Sequence, residues 1–148
     1  MRQGEKMEKY AGYVRSPHYY ETDQMQIIHH SNYIRWFEEA RVALLEHLGL
    51  PYHILEESGI IVPVLGVSCQ YKEMIHYGET VKIHVNVEKY TGTRLNFTYH
   101  ITPVSDETKI LTHGDSQHCF LQSETGRLVH LKKANPTFHQ LFSDYASL

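Results

Sequence analysis

Apolar residues recur at helical spacing in one long stretch, and most of the chain beyond it alternates with the two-residue period of a strand. Tyr33, Phe37, Ala40, Leu44 and Leu48 are separated by four, three, four and four residues, which lines them along one face of a helix. Ser31 or Asn32 is a suitable N-cap, Gly49 a C′ residue, and Pro51 comes closely after, so the helix is bounded at both ends. Arg35, Glu39 and Glu46 fall off the stripe and are expected in solvent. Pro51 can open a short second helix that Gly59 ends.

Beyond Gly59 the period changes. Residues 61–71 are apolar and β-branched. In 80–90, Val81, Ile83, Val85 and Val87 share one face, with Lys82, His84, Asn86 and Glu88 on the other. In 93–102, Leu95, Phe97, Tyr99 and Ile101 take the inward positions. Such alternation marks antiparallel strands with one face on a core, and Thr91 and Gly92 suit the hairpin turn between them. Residues 110–122 form a further strand of mixed pattern, expected to meet protein on both faces. A turn at 123–127 and a last short strand precede a helical tail from Pro136. On the N-terminal side, 13–20 is the first strand, with Pro17 arguing for an edge or a strand end, and polar residues 21–24 form a loop. A helix and a sheet with one apolar face each hide those faces on one another. The expectation is α+β: an antiparallel sheet curled around one long central helix, as a single domain over 1–148.

Composition narrows the function. Net charge is −3 with histidines neutral, and no long basic run occurs, which argues against binding nucleic acid through a broad cationic face. The first residues hold no apolar core of leader length, and the longest apolar stretch, 60–67, is too short to span a bilayer. A soluble, cytoplasmic protein is expected. Cys69 and Cys119 lie far apart, outside any C-x-x-C spacing, and are expected as two buried reduced thiols. The twelve histidines include no H-E-x-x-H or comparable spacing, and the adjacent rings of His29 and His30 are expected to diverge, so no metal site is read. Cys119 beside His118 makes a poor nucleophile pair, because strand neighbours point to opposite faces.

Residues 19–41 stand apart, reading YYETDQMQIIHHSNYIRWFEEAR. Asp23 falls in a polar loop shortly before a helix N-terminus, where unpaired N–H groups carry about half a positive charge. Those amides can steady a carboxylate and can also receive an oxygen that gains negative charge. Taken alone, such an Asp is more often a turn or cap residue.

The segment resembles the signature of the 4-hydroxybenzoyl-CoA thioesterase superfamily, especially its Tol–Pal-associated (YbgC) acyl-CoA thioesterases. Tyr19, Thr22, Asp23, His30, Tyr33, Phe37, Glu38, Ala40 and Arg41 match that motif at its spacing, and Tyr71, Tyr77 to Glu79 and Gly92 to Arg94 continue it less specifically. The resemblance implies a hotdog fold, a homodimer or homotetramer with sites at the subunit interface, and hydrolysis of acyl-CoA without a cofactor or metal. Acyl carrier protein thioesters are a second substrate form. Asp23 would be nucleophile or general base, the His30 N–H an oxyanion donor whose ring positions water or protonates the leaving thiolate, and Tyr19 a group that orients Asp23 or contacts the acyl group. Arg94, Lys72, Lys89 and Lys132 are candidates for the CoA phosphates. Two departures stand out. Met25 and Gln26 occupy positions where the family commonly has glycine, and the proline usual before the Tyr-Gly turn is replaced within 72–76. A non-catalytic acyl-thioester-binding protein is the alternative; a hotdog dehydratase carries a different motif.

Overall fold

The apolar stripe forms helix α1 (Ser31–His47), and its residues Tyr33, Phe37, Ala40, Leu44 and Leu48 are all buried, joined by Trp36 and Leu45. The computed structural model describes residues 7–148; the first six, part of the N-terminal stretch read for a leader segment, lie outside the described residues. Gly49 takes φ 82° after α1, as a C′ glycine does, and helix α2 (Tyr52–Glu57) comes next with Pro51 as its N-cap. Helices α3 (Leu131–Ala134) and α4 (Pro136–Ala146) close the chain, the latter with proline in its first turn and the Asn135 side chain accepting from the Phe138 N–H.

The described residues form seven strands: β1 (Tyr13–Arg15), β2 (Ile60–Ile61), β3 (Val64–Tyr71), β4 (Val81–Tyr90), β5 (Arg94–Pro103), β6 (Thr112–Cys119) and β7 (Leu121–Gln122). Five make one sheet in the order β1-β4-β5-β6-β3, every neighbouring pair antiparallel, while β2 and β7 pair apart from it. Val81, Ile83 and Val85 of β4 and Leu95, Phe97, Tyr99 and Ile101 of β5 are buried beneath α1, on the face the alternation assigned them. Phe37 of α1 stacks on Tyr99 at 4.4 Å between ring centroids. Gly114 makes room for that ring. A Cβ there would stand 2.6 Å from Phe37 Cε2 and 2.4 Å from the Ser68 carbonyl oxygen.

Several expectations are corrected. The first strand stops at Arg15, because Pro17 cannot continue the ladder, and the chain turns through a short 3-10 helix at Tyr19–Glu21. Pro63 likewise divides the expected strand 61–71 into β2 and β3. Strand β6 is covered on both faces only at its end, where His118 and Cys119 are both buried; before that its outer residues His113, Asp115 and Gln117 are partly exposed, and its buried positions are Thr112, Gly114 and Ser116. The last short strand is reduced to a single bridge, Leu121 with Leu128. Cys69 is only half-buried, because it faces the helix side of an edge strand, whereas Cys119 is buried; both thiols are free. Neither Ser31 nor Asn32 is the N-cap. His30 takes that position, and the Asn32 amide turns inward to the carbonyls of Glu21 and His29 at 3.0 and 3.2 Å.

Glu21, read as a loop residue, is buried, with 3% of its surface exposed. Arg15 grips its carboxylate with Nη1 to Oε1 at 2.8 Å and Nη2 to Oε2 at 3.0 Å. The His18 N–H reaches Oε1 at 2.7 Å, and the Trp36 indole N–H reaches Oε2 at 2.9 Å. Glu39 is not solvated as expected, since it accepts from Arg15 Nε and from the Tyr13 hydroxyl, both at 2.9 Å. This cluster ties β1, the 3-10 turn and α1 together.

Burial alone would raise the Glu21 pKa. The His18 N–H, the Trp36 indole and the Arg15 guanidinium outweigh it, and the net shift is downward. A carboxyl with a depressed folded-state pKa contributes stability above its unfolded value, and that contribution is lost as pH falls through the folded value. Glu21→Gln should cost about 3–5 kcal/mol at pH 7, nearer the lower figure because Glu39 still holds Arg15. Urea unfolding at pH 7 and pH 3 reads both effects: the wild-type protein should lose more stability on acidification than Glu21→Gln does. Equal losses would show that this carboxylate is not coupled to folding.

Candidate active site

Residues 22–28 fold back on themselves as a miniature hairpin, bridged at Thr22 and Ile28. The Asp23 N–H donates to the Ile27 carbonyl at 2.9 Å and the Gln26 N–H to the Asp23 carbonyl at 3.0 Å, which closes a three-residue loop. Such loops need a left-handed residue at their third position. Gln26 supplies it with φ 62°, the one described non-glycine residue at positive φ. That is one of the two positions where the related motif carries glycine. The loop lies along the segment before β4: the Ile28 N–H donates to the Ile75 carbonyl and the Tyr77 N–H to the Gln26 carbonyl, each at 2.8 Å.

Glu21 fastens the other side. Its carbonyl accepts from the His29 N–H at 2.9 Å and from the Asn32 amide at 3.0 Å, so one residue holds both the return arm of the loop and the first turn of α1. His30 enters the helix with φ −56° and ψ −27°. Among the described residues no group accepts from its N–H. The Ser31 N–H, next in line, is taken by His29 Nδ1 at 3.3 Å, with the Ser31 hydroxyl 2.9 Å from the same nitrogen.

Asp23 is exposed in the single chain and lines an open cleft of about 750 Å³ together with His29, His30, Tyr33, Tyr71 and Lys72. That is within the range of small-molecule sites. Asp23 Oδ1 accepts from the Met25 N–H at 2.8 Å, and no described group donates to Oδ2. The rings of His29 and His30 do not diverge as expected: their centroids are 4.2 Å apart, because at a helix entrance successive side chains differ by about 100° rather than 180°. Buried Tyr33 forms the inner wall, edge-on to Tyr71 at 5.0 Å, and its burial pushes the phenol up to about 12.

The structure gathers some of the expected residues and separates others. Asp23, His30 and Lys72 share the cleft. Tyr19 does not line it; its ring is 74% exposed and meets Tyr77 edge-on at 5.8 Å. Lys89 and Arg94 flank the β4–β5 turn, where the Gly92 carbonyl accepts from Leu131 at the start of the helix that carries Lys132. Pro103, at the other end of β5, lines the cleft, so these three cations lie roughly 30 Å of strand away from it in one chain. Lys109, which the sequence reading missed, does line the cleft and pairs with Glu73 at 3.3 Å. Only its loop position distinguished it in the sequence, which is no signal.

A left-handed glutamine is strained by about 1–2 kcal/mol, and glycine regains part of that at an entropic cost of roughly 0.5–1 kcal/mol. Gln26→Gly should therefore raise stability by up to about 1 kcal/mol in urea unfolding. Gln26→Val should lower it, because a β-branched side chain tolerates this backbone least. A stabilising Gln26→Val would mean that the loop does not hold this conformation.

Residues 17–137 match the family described as the thioesterase-like superfamily. YneP of Bacillus subtilis, which carries the provisional name acyl-CoA thioesterase, is 36% identical over 84% of this chain and 88% of its own. The crystal structure of a DHNA-CoA thioesterase from Staphylococcus aureus superposes with a TM-score of 0.84 at 33% identity, covering 92% of this chain and 90% of that one. At 15% identity, the 1,4-dihydroxy-2-naphthoyl-CoA thioesterase Slr0204 of Synechocystis shares the fold, with a TM-score of 0.77 over 89% of this chain and 94% of its own. No helix among the described residues is long and apolar enough to cross a membrane. With a hotdog sheet around α1 and this match across most of its length, the chain belongs to the thioesterase-like superfamily.

Proposed function

We propose that the chain hydrolyses acyl-CoA thioesters to a free acid and CoA, with Asp23 as the reacting carboxylate. One observation carries this reading: among the described residues nothing donates to Asp23 Oδ2 and nothing accepts from the His30 N–H, and the two residues share a cleft. The first is an electron-pair donor and the second a receptor for developing negative charge, which is what acyl transfer needs.

A thioester carbonyl in the cleft would direct its oxygen to the His30 N–H. Asp23 Oδ2 would then add to the carbonyl carbon, and the C–S bond would break to give a mixed anhydride and CoA thiolate. Water would cleave the anhydride, returning the carboxylate and releasing the acid. In the alternative course Asp23 takes a proton from water, and the hydroxide adds directly. In both, the His30 ring can give the thiolate its proton. The Met25 N–H on Oδ1 supports either course, since it fixes the carboxylate without occupying the reacting oxygen. Tyr19, out of the cleft in one chain, is kept as a contact for the acyl group only. Lys72 is the phosphate candidate nearest the site within one chain, and Arg94, Lys89 and Lys132, at the far turn, could serve a CoA tail that reaches that turn or a CoA held in the cleft of a second copy. The names of the relatives favour CoA over acyl carrier protein as the carrier. The motif through Arg41 favours the Tol–Pal-associated type.

The site also calls for a second subunit. β3 is an edge strand, and Val64, Val67 and Tyr71 are exposed along it. A long apolar edge left bare is a template for pairing. Two copies joined antiparallel through β3 would form a homodimer. Tyr71, on the wall of the cleft, would then lie beside the partner subunit's Val64.

Asp23→Asn should lower kcat by at least ~10²-fold, and His30→Ala by less, because its peptide N–H remains. The measurement is free thiol released from a panel of acyl-CoAs, with a chelator as control. Near-wild-type turnover by folded Asp23→Asn would remove the carboxylate from the mechanism. Tight acyl-CoA binding without thiol release would instead favour the binding-protein reading. Val67→Lys, a charge on the edge, should yield monomers in sedimentation and at least ~10-fold less thiol release. A Val67→Lys protein of unchanged mass and rate would sink the β3 dimer.

A further inference from the structure

Arg41 lies midway along α1 and has no carboxylate within ion-pair distance among the described residues. Its Nη1 donates to the Tyr99 hydroxyl at 3.1 Å. Tyr99 Oη is 2.6 Å from Ser116 Oγ, which is 2.8 Å from His118 Nε2. A guanidinium only donates, so Tyr99 accepts at that contact; Ser116 is the one other partner of its hydroxyl among the described residues, and giving it the phenol proton is what orders the rest of the chain. Tyr99 accepts from Arg41 and gives its proton to Ser116, which gives its own to His118 Nε2. A neutral imidazole accepting at Nε2 carries its proton on Nδ1. His118 is neutral: burial, then the Arg41 charge, bring its pKa down to about 4, against an opposing pull from the backbone of Pro63 and Val62. It is 1% exposed, and its Nδ1 has no hydrogen-bond partner among the described residues. Buried donors are seldom left this way.

Both ends of this chain line one cavity of about 260 Å³, whose other walls include Val42, Leu45, Leu55 and Phe97. A cavity of ~150 Å³ holds a benzene ring, so this one takes a substituted ring or a short chain. Its walls are apolar and its polar groups Arg41 and His118 offer donors, while the carboxylates of Glu38 and Glu56 belong to its exposed mouth. We propose that the cavity binds a small apolar acid, a ring or short chain whose carboxylate accepts from Arg41 and from the His118 Nδ1–H. The acid has two sources. It is a free acid, or it is the far end of an acyl group. Within one chain the cavity is at the Val64 end of β3 and the cleft at the Tyr71 end, roughly 20 Å apart. Antiparallel pairing of two β3 edges would bring the cavity of one copy to the cleft of the other. The acyl source therefore rests on the hydrolase and dimer reading, whereas the free-acid source does not.

Titration with 4-methylbenzoate and with p-xylene, which differ by the carboxylate, tests the site through the His118 ring nitrogens in ¹⁵N NMR. The acid should shift them and bind at least ~10-fold tighter than p-xylene, as one charged hydrogen bond requires. Arg41→Gln and, independently, His118→Phe should each erase most of that advantage. Val42→Trp, which fills the cavity from its half-buried rim, should abolish binding of both probes. Equal affinity for the two probes, or acid binding that survives Val42→Trp, overturns the proposal. Thiol release from glutaryl-CoA and pentanoyl-CoA then separates the sources. A glutaryl preference that falls ~10-fold in Arg41→Gln identifies the acyl end, and an unchanged ratio beside lost 4-methylbenzoate binding identifies a free acid. No thiol release from any acyl-CoA would overturn the hydrolase reading alone, leaving the NMR result standing.

Discussion

The buried pair between Arg15 and Glu21 is the constraint on which the candidate site depends. Desolvating two charges is costly, and it is offset here because both carboxylate oxygens and the guanidinium fork are hydrogen-bonded, with the Trp36 indole and the His18 amide completing the shell. The same residue uses its carbonyl to hold His29 and Asn32. Side chain and main chain of Glu21 therefore fix the strand before the loop, the loop itself and the helix after it. Asp23 stands two residues beyond this anchor and His30 one residue beyond its far contact. Their relation is inherited from the anchor rather than from any bond between them.

A second constraint comes from the sheet. Phe37 and Tyr99 stack across the helix–sheet interface, and the strand opposite must then be small, which Gly114 satisfies. Next to it Ser116 and His118 bring polar groups onto the core face, where their cost is met by the chain that begins at Arg41. Core packing and polar network are thus two halves of one arrangement: the aromatic stack positions the Tyr99 hydroxyl, and that hydroxyl relays the guanidinium to the imidazole.

These facts explain which parts were legible in the sequence. Helix α1 and strands β4 and β5 bury apolar residues at regular spacing, and a period is visible in one chain. The fold class and the helix–sheet layering came from them. Strand β6 hides Thr112, Gly114, Ser116 and His118 inward, so a period of two was present with its polarity inverted, and it read as a strand with two covered faces. Pro17 and Pro63 were visible, but how far each shortens a strand depends on the partner strand. Glu21 was illegible for a different reason. A lone Glu beside Thr and Asp looks solvated, and only the approach of Arg15 and Trp36 makes its burial affordable. The motif did locate Asp23 and His30 on one cleft, since both belong to one short segment. The cations Lys89, Arg94 and Lys132 were chosen by charge type, which carries no distance, and the hairpin sets them far from Asp23.

The left-handed Gln26 links strain to chemistry. The three-residue loop is tight enough that Asp23 receives the Met25 amide on Oδ1, and a loop of this length returns Ile28 and His29 in time to meet Ile75 and Glu21 just before α1. A looser loop would relieve the backbone and let the carboxylate turn toward water. A glycine would relieve it too, while allowing the loop conformations that glutamine forbids in the unfolded and partly open chain. Glutamine therefore accepts strain in the folded state and restricts the alternatives to it. The loop before α1 is held by hydrogen bonds at both ends and by a disfavoured backbone at its tip, which is how a short exposed segment keeps one carboxylate oriented without burying it.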